Sequence, residues 1–343
     1  MEQRQLGHGG PFVSAIGLGC NNISRTGRAT ESLAGTRAVI DAAIEAGITL
    51  FDTADIYGSP ATASESLMGQ ALVGRRDRVV IATKFGHSAY AVPGTESWGP
   101  KGGARYVRNA CDASLTRLRT DYLDIFQQHE PDPSVPIEET LGALAELVDA
   151  GKVRYLGHSN FTAQQSEAAD DAAVRLGIPR FVSAQNELNL LARSAETDLL
   201  PTVRRLGIGF LPFFPLANGL LTGKYGRTTR PDRGRLVQDK PEILASADWD
   251  RLAAYEQICR VAGAPMGQVT IAWLLARPGV TSVIAGATTP EQVSQNAAAA
   301  QVGLPAELVT AIDQLFPVAT EVAAQSGPAA VVGHEPPEVN VPV

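Results

Sequence analysis

The chain has 343 residues, of which 44% are hydrophobic and 19% charged, and its formal net charge is −7. This composition is typical of a globular protein, and the length suits two ordinary domains or one α/β barrel. An acidic balance without a dense basic run argues against nucleic acid and anionic membrane as partners. The three cysteines are far apart and form no CxxC pair, which favours a reducing compartment. The first residues lack an apolar signal region and no apolar run could cross a bilayer, so we expect a cytoplasmic protein.

The N-terminal segment predicts a hairpin, and two nucleotide-binding motifs are incomplete. Residues 4–13 are polar and glycine-rich, as in a β-hairpin that closes one end of a core. Residues 17–19 begin a dinucleotide fingerprint, but Asn22 stands in place of the third glycine. Residues 219–224 resemble a phosphate-binding loop, yet only three residues separate the glycines and Tyr225 follows the lysine. We reject both motifs.

Short apolar runs alternate with helical patterns along the chain. The helical repeat is clearest over 107–118, and Thr162 with Gln165 has the spacing of a capping box. Continuous alternation at this length favours a (β/α)8 (TIM) barrel over a doubly wound sheet. We predict one barrel domain over 1–317 with an N-terminal hairpin, and a tail over 318–343 that borders the substrate pocket. The predicted strands are 13–19, 48–52, 79–84, 122–126, 153–156, 181–184, 208–211 and 280–284.

Polar residues recur where these predicted strands end, which is the end of a barrel that carries active sites. Asp52 and Tyr57 are five residues apart, so they converge only if the chain bends after Asp52. Each polar residue alone also fits a structural role as a hydrogen-bonded or solvated strand end or as a helix cap. Their shared position on one rim favours function. The residues are Asp52, Tyr57, Lys84, His129, Ser159, Asn160 and Gln185.

These side chains suit proton delivery to a carbonyl oxygen. A tyrosine has an unperturbed pKa of about 10, and a nearby ammonium lowers it by stabilising the phenolate. Lys84 is the candidate cation, and Asp52 can hold it by a charge-assisted hydrogen bond. His129 can orient a substrate oxygen or share a proton with Tyr57.

The chain resembles the aldo-keto reductase family from the hairpin to about residue 316. The resemblance implies a (β/α)8 barrel that reduces aldehydes or ketones with NADPH and without a metal. It implies a catalytic tetrad of Asp52, Tyr57, Lys84 and His129, with Tyr57 as general acid, Lys84 depressing its pKa and His129 orienting the carbonyl. The segments that carry it are FDTADIYG (51–58), ATKFG (82–86), DIFQQH (124–129), GKVRYLGHSNF (151–161) and PLANGLLTGKY (215–225).

The resemblance also implies a cofactor site along the same rim. Ser159, Asn160 and Gln185 would hold the carboxamide, and Phe213 stands where a nicotinamide-stacking tyrosine is common. The remaining implied cofactor contacts are Gly19, Cys20, Asn21, Asp52, Leu216, Asn218, Gly219, Gly286, Thr288, Gln292, Gln295 and Asn296.

The loop after the last predicted strand departs from the family pattern. Residues 286–292 read GATTPEQ and contain no Lys or Arg for the 2′-phosphate of NADPH. The helix N-terminus and the threonine hydroxyls could still receive a phosphate. NADP(H) is therefore the predicted cofactor, and use of NAD(H) stays open.

Two further functions stay open, as does the environment of one residue near the substrate. The β subunits of potassium channels resemble this family, which offers a cofactor-binding regulatory subunit as a second hypothesis. A sugar epimerase or dehydratase that uses the nicotinamide transiently is a third.

Glu130 follows His129 directly, and it either pairs with a nearby Arg or Lys or lines the pocket unpaired and repels anionic substrates. The partner in any case is a small carbonyl compound, and the sequence does not predict the oligomeric state.

Overall fold

The first strands form a hairpin beneath a parallel barrel. The structure is a computed structural model that describes residues 1–232 and 234–318. Strands β1 (Gln3–Gln5) and β2 (Phe12–Ser14) pair antiparallel, which confirms the predicted hairpin. The predicted tail 318–343 lies outside the described residues, apart from residue 318.

Eight parallel strands form the barrel and confirm the predicted (β/α)8 fold. They pair in the order β10-β3-β4-β5-β6-β7-β8-β9. A parallel bridge between Phe210 and Val280 closes the ring, and the Thr281 amide donates to the Phe210 carbonyl at 2.9 Å. The strands are β3 (Ile16–Gly19), β4 (Leu50–Asp52), β5 (Val80–Phe85), β6 (Leu123–Gln128), β7 (Val153–Ser159), β8 (Phe181–Gln185), β9 (Gly209–Phe210) and β10 (Val283–Gly286).

Helices cover the outside of the barrel. Helix α5 begins at the predicted capping box, in which Thr162 and Gln165 bond each other's backbone, and it ends before Gly177 in a left-handed conformation. The helices are α1 (Leu33–Glu45), α2 (Ala63–Ala71), α3 (Ala104–Leu118), α4 (Ile137–Asp149), α5 (Ala163–Leu176), α6 (Leu199–Leu206), α7 (Arg235–Gln238), α8 (Pro241–Ala245), α9 (Trp249–Ala262), α10 (Met266–Leu275), α11 (Pro290–Ala298) and α12 (Ala306–Leu315).

Several strand boundaries differ from prediction, most clearly those of the last two strands. The predicted strand 208–211 keeps only two residues, and the last strand begins at Val283 because the residues before it form the closing bridge. Thr289 caps α11 by accepting from the Gln292 amide, and the Gln292 carboxamide accepts from the Thr288 amide at 2.8 Å, so the pair forms no capping box. Among the described residues, no single helix is long and apolar enough to span a membrane, although α9 and α10 pass that test together as a pair bent by 80°.

Strand alternation divides the core into two layers. Leu50, Ala82 and Ile125 belong to a buried cluster that also contains Leu6 of the hairpin. Their chain neighbours Phe51 and Phe126 pack in the larger cluster with the helices. Successive side chains of a strand point to opposite faces, so residues two or four positions after the first group share its inward direction. This spacing directs Asp52, Lys84 and His129 toward the barrel interior at the carboxyl rim.

Candidate active site

The chain bends after β4 because the neighbouring strand holds it. The Thr53 amide donates to the Ala82 carbonyl at 2.8 Å, and the Asp55 amide donates to the Lys84 carbonyl at 3.1 Å. A tight turn follows, in which the Tyr57 amide donates to the Ala54 carbonyl at 3.1 Å. The backbone bonds of Thr53 and Asp55 and the turn that ends at Tyr57 therefore bring the phenol back to the rim, close to Asp52.

Asp52 and Lys84 form a buried ion pair. Lys84 Nζ lies 2.6 Å from Asp52 Oδ1, and these side chains are 0% and 5% exposed. The ammonium also donates to the Thr53 carbonyl at 2.9 Å, while Gln185 Nε2 donates to Asp52 Oδ1 at 2.8 Å. Burial lowers the pKa of Lys84, but opposing interactions, led by the charge of Asp52, outweigh it, so the net shift is upward. Lys84 is a cation at neutral pH.

Tyr57 is held in its protonated form. Lys84 and Asn21 are polar neighbours of its phenol, and Lys84 Nζ lies 5.2 Å from the ring centroid. Burial raises the pKa of Tyr57 and Lys84 lowers it, and the net shift is above the ordinary value of 10. The expected depression is therefore wrong in net direction: Lys84 acts as predicted, but desolvation of the phenolate is larger. A neutral phenol is the form that can give a proton.

His129 is a neutral ring against Tyr57. The two ring centroids are 6.0 Å apart with planes at 83°, and the His129 side chain is buried. Burial, followed by the charges of Lys84 and of His87 when protonated, holds the pKa of His129 well below 6.5. Its Nδ1 has no hydrogen-bond partner among the described residues. A neutral imidazole with a free ring nitrogen suits orientation of a substrate oxygen better than proton transfer.

Ser159, Asn160 and Gln185 form one hydrogen-bonded network beside the ion pair. Ser159 Oγ donates to the Gln185 carbonyl at 2.7 Å. Asn160 adopts a left-handed backbone with φ of 59°, and its Nδ2 donates to the His129 carbonyl at 3.0 Å. This network ties the predicted carboxamide-binding residues to the ion pair through Gln185 and to the imidazole through Asn160.

The loop after β9 has the backbone of a ligand cradle. The φ angles of Ala217, Asn218 and Gly219 are 46°, 57° and 100°. Asn218 Oδ1 is buried without a hydrogen-bond partner among the described residues, which is uncommon for a buried polar atom. Phe213 packs edge-to-face on Phe214, with ring centroids 5.1 Å apart. A strained loop with an unsatisfied amide oxygen fits a bound polar group.

The carboxyl ends of β3 and β10 lie side by side on the barrel rim. Gly19 pairs with Gly286, and the Gly286 carbonyl accepts from Asn296 Nδ2 at 3.3 Å. Asn21 is partly exposed, whereas the Cys20 thiol is buried and desolvation raises its pKa. The other predicted contacts vary in exposure: Leu216, Thr288 and Gln292 are partly buried and Gln295 is exposed.

The sequence profile of the aldo/keto reductase family matches residues 15–316. The chain belongs to this family. An L-glyceraldehyde 3-phosphate reductase of Escherichia coli K12 is 33% identical over 86% of each chain. A probable aldo-keto reductase 1 of Glycine max is 36% identical over 92% of this chain and 88% of the relative. An uncharacterized oxidoreductase of Bacillus subtilis is 32% identical over 92% and 96%.

Glu130 in this aldo-keto reductase is paired, although not with an Arg or Lys. Its Oε1 lies 3.2 Å from His87 Nε2, and its Oε2 accepts from the Ser88 amide at 2.8 Å and from the Ser88 hydroxyl. Lys101 Nζ holds the same loop by donating to the Tyr90 carbonyl at 2.6 Å. Both the expectation of an unpaired pocket carboxylate and that of an Arg or Lys partner are therefore wrong. Glu130 fastens the loop beside His129.

Two arginines near Tyr57 escaped the sequence analysis. Arg25 and Arg235 both interact electrostatically with the Tyr57 phenol. Arg25 lies in the loop after β3, and Arg235 begins a short helix in the insertion that follows β9. Neither ends a strand, so the pattern that found the tetrad could not find them. The concentration of arginines in the polar insertion 227–239 was the available signal.

Proposed function

We propose that this aldo-keto reductase reduces an aldehyde or ketone to an alcohol with NADP(H), and that Tyr57 protonates the carbonyl oxygen. The observation that supports this most is the contact of a protonated Tyr57 with the Asp52–Lys84 ion pair on one side and the neutral ring of His129 on the other. Two of the relatives are named as reductases, which supports the same reaction class.

Each residue of the proposed tetrad has one task. A nicotinamide cofactor, when bound, would supply the hydride that the carbonyl carbon accepts. Tyr57 gives its proton to the carbonyl oxygen as negative charge develops there, so the product is the alcohol. Lys84 stabilises the phenolate that remains, and Asp52 keeps the ammonium charged and in place. His129 donates a hydrogen bond to the oxygen and fixes its position relative to the phenol.

The chain's own residues fit a dinucleotide along the rim. The unsatisfied Asn218 oxygen and the left-handed backbone at Gly219 suit the approach of a diphosphate or ribose. We assign Ser159, Asn160 and Gln185 to the carboxamide. Because the loop 286–292 carries no cation, NADP(H) is our first choice and NAD(H) the second. Three free and buried cysteines are in keeping with our prediction of a cytoplasmic enzyme.

The test is a panel of carbonyl compounds with NADPH, followed at 340 nm, with product alcohol measured against NADP+ formed. We expect equal amounts of the two. A regulatory subunit would give neither product, and a sugar epimerase or dehydratase would turn over sugar without net oxidation of NADPH. Either result would replace the reductase assignment.

Tyr57→Phe tests the proton donor. Its turnover should fall by a factor on the order of 100 or more, as expected for lost general acid catalysis, while NADPH affinity stays near normal. Tyr122→Phe is the matched control, because the Tyr122 ring packs under Arg76 and Arg154 outside the tetrad. Near-normal turnover of Tyr57→Phe would contradict the tetrad.

A further inference from the structure

A group of basic side chains surrounds one side of the Tyr57 phenol. Arg25, Arg28, Arg235 and Lys240, here called the basic cluster, interact electrostatically with one another. Asp239 lies among them and is already paired with Arg28 at 3.1 Å, while Glu187 and Glu242 interact with Lys240. A chain with a net charge of −7 thus places two of these cations, Arg25 and Arg235, close to its proposed proton donor.

Arg25 and Arg235 have no ion-pair partner in the part of the chain that the structure describes. Arg25 donates to the Asn21 backbone carbonyl at 3.0 Å and to its side-chain oxygen at 2.5 Å, both neutral acceptors. Arg235 Nε is buried without a hydrogen-bond partner among the described residues, and its guanidinium lies 5.2 Å from the Phe214 ring centroid. Burial and repulsion by Arg25 lower the pKa of Arg235 to about 10.

Asp239 attracts both guanidinium groups, but no carboxylate of the described residues lies within ion-pair distance of either. Two guanidinium groups held near each other in this way are costly in a partly buried site. Such a cost is offset when an anion binds between them, since charge-assisted hydrogen bonds to guanidinium are strong. An unsatisfied buried donor is the expected state of such a site before its ligand arrives.

Two members of the basic cluster lie near the proposed catalytic side chains. Both arginines interact with Tyr90 as well as with Tyr57. Tyr90 packs on His87 with ring centroids 4.8 Å apart, and His87 packs on His129 at 4.7 Å. The arginines therefore lie close both to the proposed proton donor and to the loop that packs on the imidazole. The Glu130 carboxylate near that loop is engaged by Ser88 and His87.

We propose that Arg25 and Arg235 bind an anionic group, a carboxylate or a phosphate, on the carbonyl substrate itself. The proposal rests on the proposed reductase function and adds its substrate class: small aldehydes or ketones that carry a negative charge away from the carbonyl. The guanidinium pair sets the specificity by orienting the substrate, while the chemistry stays with Tyr57, Lys84 and His129.

The experiment compares 4-carboxybenzaldehyde with 4-formylbenzamide, which has nearly the same shape without the charge. At low ionic strength, kcat/KM should favour the carboxylate. Arg25→Gln and Arg235→Gln should each lower the carboxylate-to-amide ratio about tenfold or more, since each removes one charge-assisted contact. Arg25→Lys should keep part of the preference. Arg227→Gln, which removes the same charge from an exposed pair with Asp250 in the same insertion, should leave the ratio unchanged.

The readouts separate the alternatives. NADPH affinity is measured on every variant by quenching of tryptophan fluorescence. An unchanged ratio with weaker NADPH binding would show that the guanidinium groups hold a cofactor phosphate, and an unchanged ratio with unchanged NADPH binding would show that they hold no ligand. Either result overturns the proposal.

A failure of the reductase assignment is distinguishable from a failure of this site. If the wild-type protein reduces neither aldehyde, calorimetric titration with 4-(hydroxymethyl)benzoate and 4-(hydroxymethyl)benzamide tests the anion site without turnover. Tighter binding of the carboxylate, lost in Arg25→Gln and Arg235→Gln, would support the site. Equal binding of the two compounds would overturn it.

Discussion

Removing either partner of the Asp52–Lys84 pair should destabilise the barrel strongly. Lys84→Met leaves the Asp52 carboxylate 5% exposed with Gln185 as its donor at 2.8 Å. Breaking a buried pair on one side costs about 3–5 kcal/mol, and the Gln185 bond that remains places the loss near the lower end. Asp52→Asn leaves the fully buried ammonium with the Thr53 carbonyl at 2.9 Å, and we expect a similar loss.

The double variant decides whether these losses come from the pair. With both charges removed, no uncompensated ion stays buried, so Asp52→Asn/Lys84→Met should lose about 2 kcal/mol less than the sum of the single losses. Unfolding free energies come from urea titrations read by tryptophan fluorescence. The control is Lys152→Met, because Lys152 lies at the same 2.6 Å from Asp112 but the pair is 40% and 56% exposed. It should cost under about 1 kcal/mol. Additive single losses, or a control loss as large as that of Lys84→Met, would refute the reasoning.

Three further outcomes follow from other contacts. If the loop 286–292 faces the 2′-phosphate, Thr288→Arg should strengthen NADPH binding by about 1–3 kcal/mol without changing NADH affinity. Equal effects on both cofactors in a fluorescence titration would show that this loop does not face the 2′-phosphate. Glu130→Gln should raise KM several-fold for carboxylate and amide aldehydes alike, since it loosens the loop at Ser88; a change confined to the charged aldehyde would restore a direct pocket role. His158 is buried without hydrogen-bond partners for its ring nitrogens among the described residues, and burial lowers its pKa to about 3. The folded pKa of His158 lies below the unfolded value of about 6.5, so its contribution to stability is fully present above pH 6.5 and is lost as the pH falls. Between pH 7.5 and 5.0 the unfolding free energy of the wild type should fall by about 2 kcal/mol more than that of His158→Phe. Identical urea profiles for the two proteins at both pH values would contradict this.

The rim residues were predictable because strand geometry determines them. Asp52 and Lys84 each lie two positions after an inward-facing residue, Leu50 and Ala82, and parallel pairing brings Asp52 directly beside Ala82 on the next strand. Apolar alternation in the sequence therefore indicates both the barrel and which polar residues face its interior. The same logic extends to His129, four positions after Ile125.

Other features depend on packing that no local pattern encodes. Glu130 contacts His87 and Ser88, which lie in a loop more than 40 residues earlier in the sequence. This loop has no helical or strand periodicity that could have predicted the contact. Arg235 approaches Arg25 across 210 positions, and neither ends a strand. The net pKa of Tyr57 depends on the balance between desolvation and Lys84, and sequence identifies the cation but not the degree of burial.

The closing seam of the barrel joins the two ends of the described chain. Arg4 Nη1 donates to the carbonyls of Leu275 at 3.3 Å and Val280 at 3.4 Å, across more than 270 positions, and Leu6 is fully buried beneath the strands. Contacts so distant in sequence form late, because ordering the long intervening chain must come first. During synthesis the hairpin therefore emerges before the barrel strands but can dock only after the last of them has left the ribosome. Until then its apolar side chains are exposed, and we expect this seam to be the barrel's point of vulnerability to aggregation.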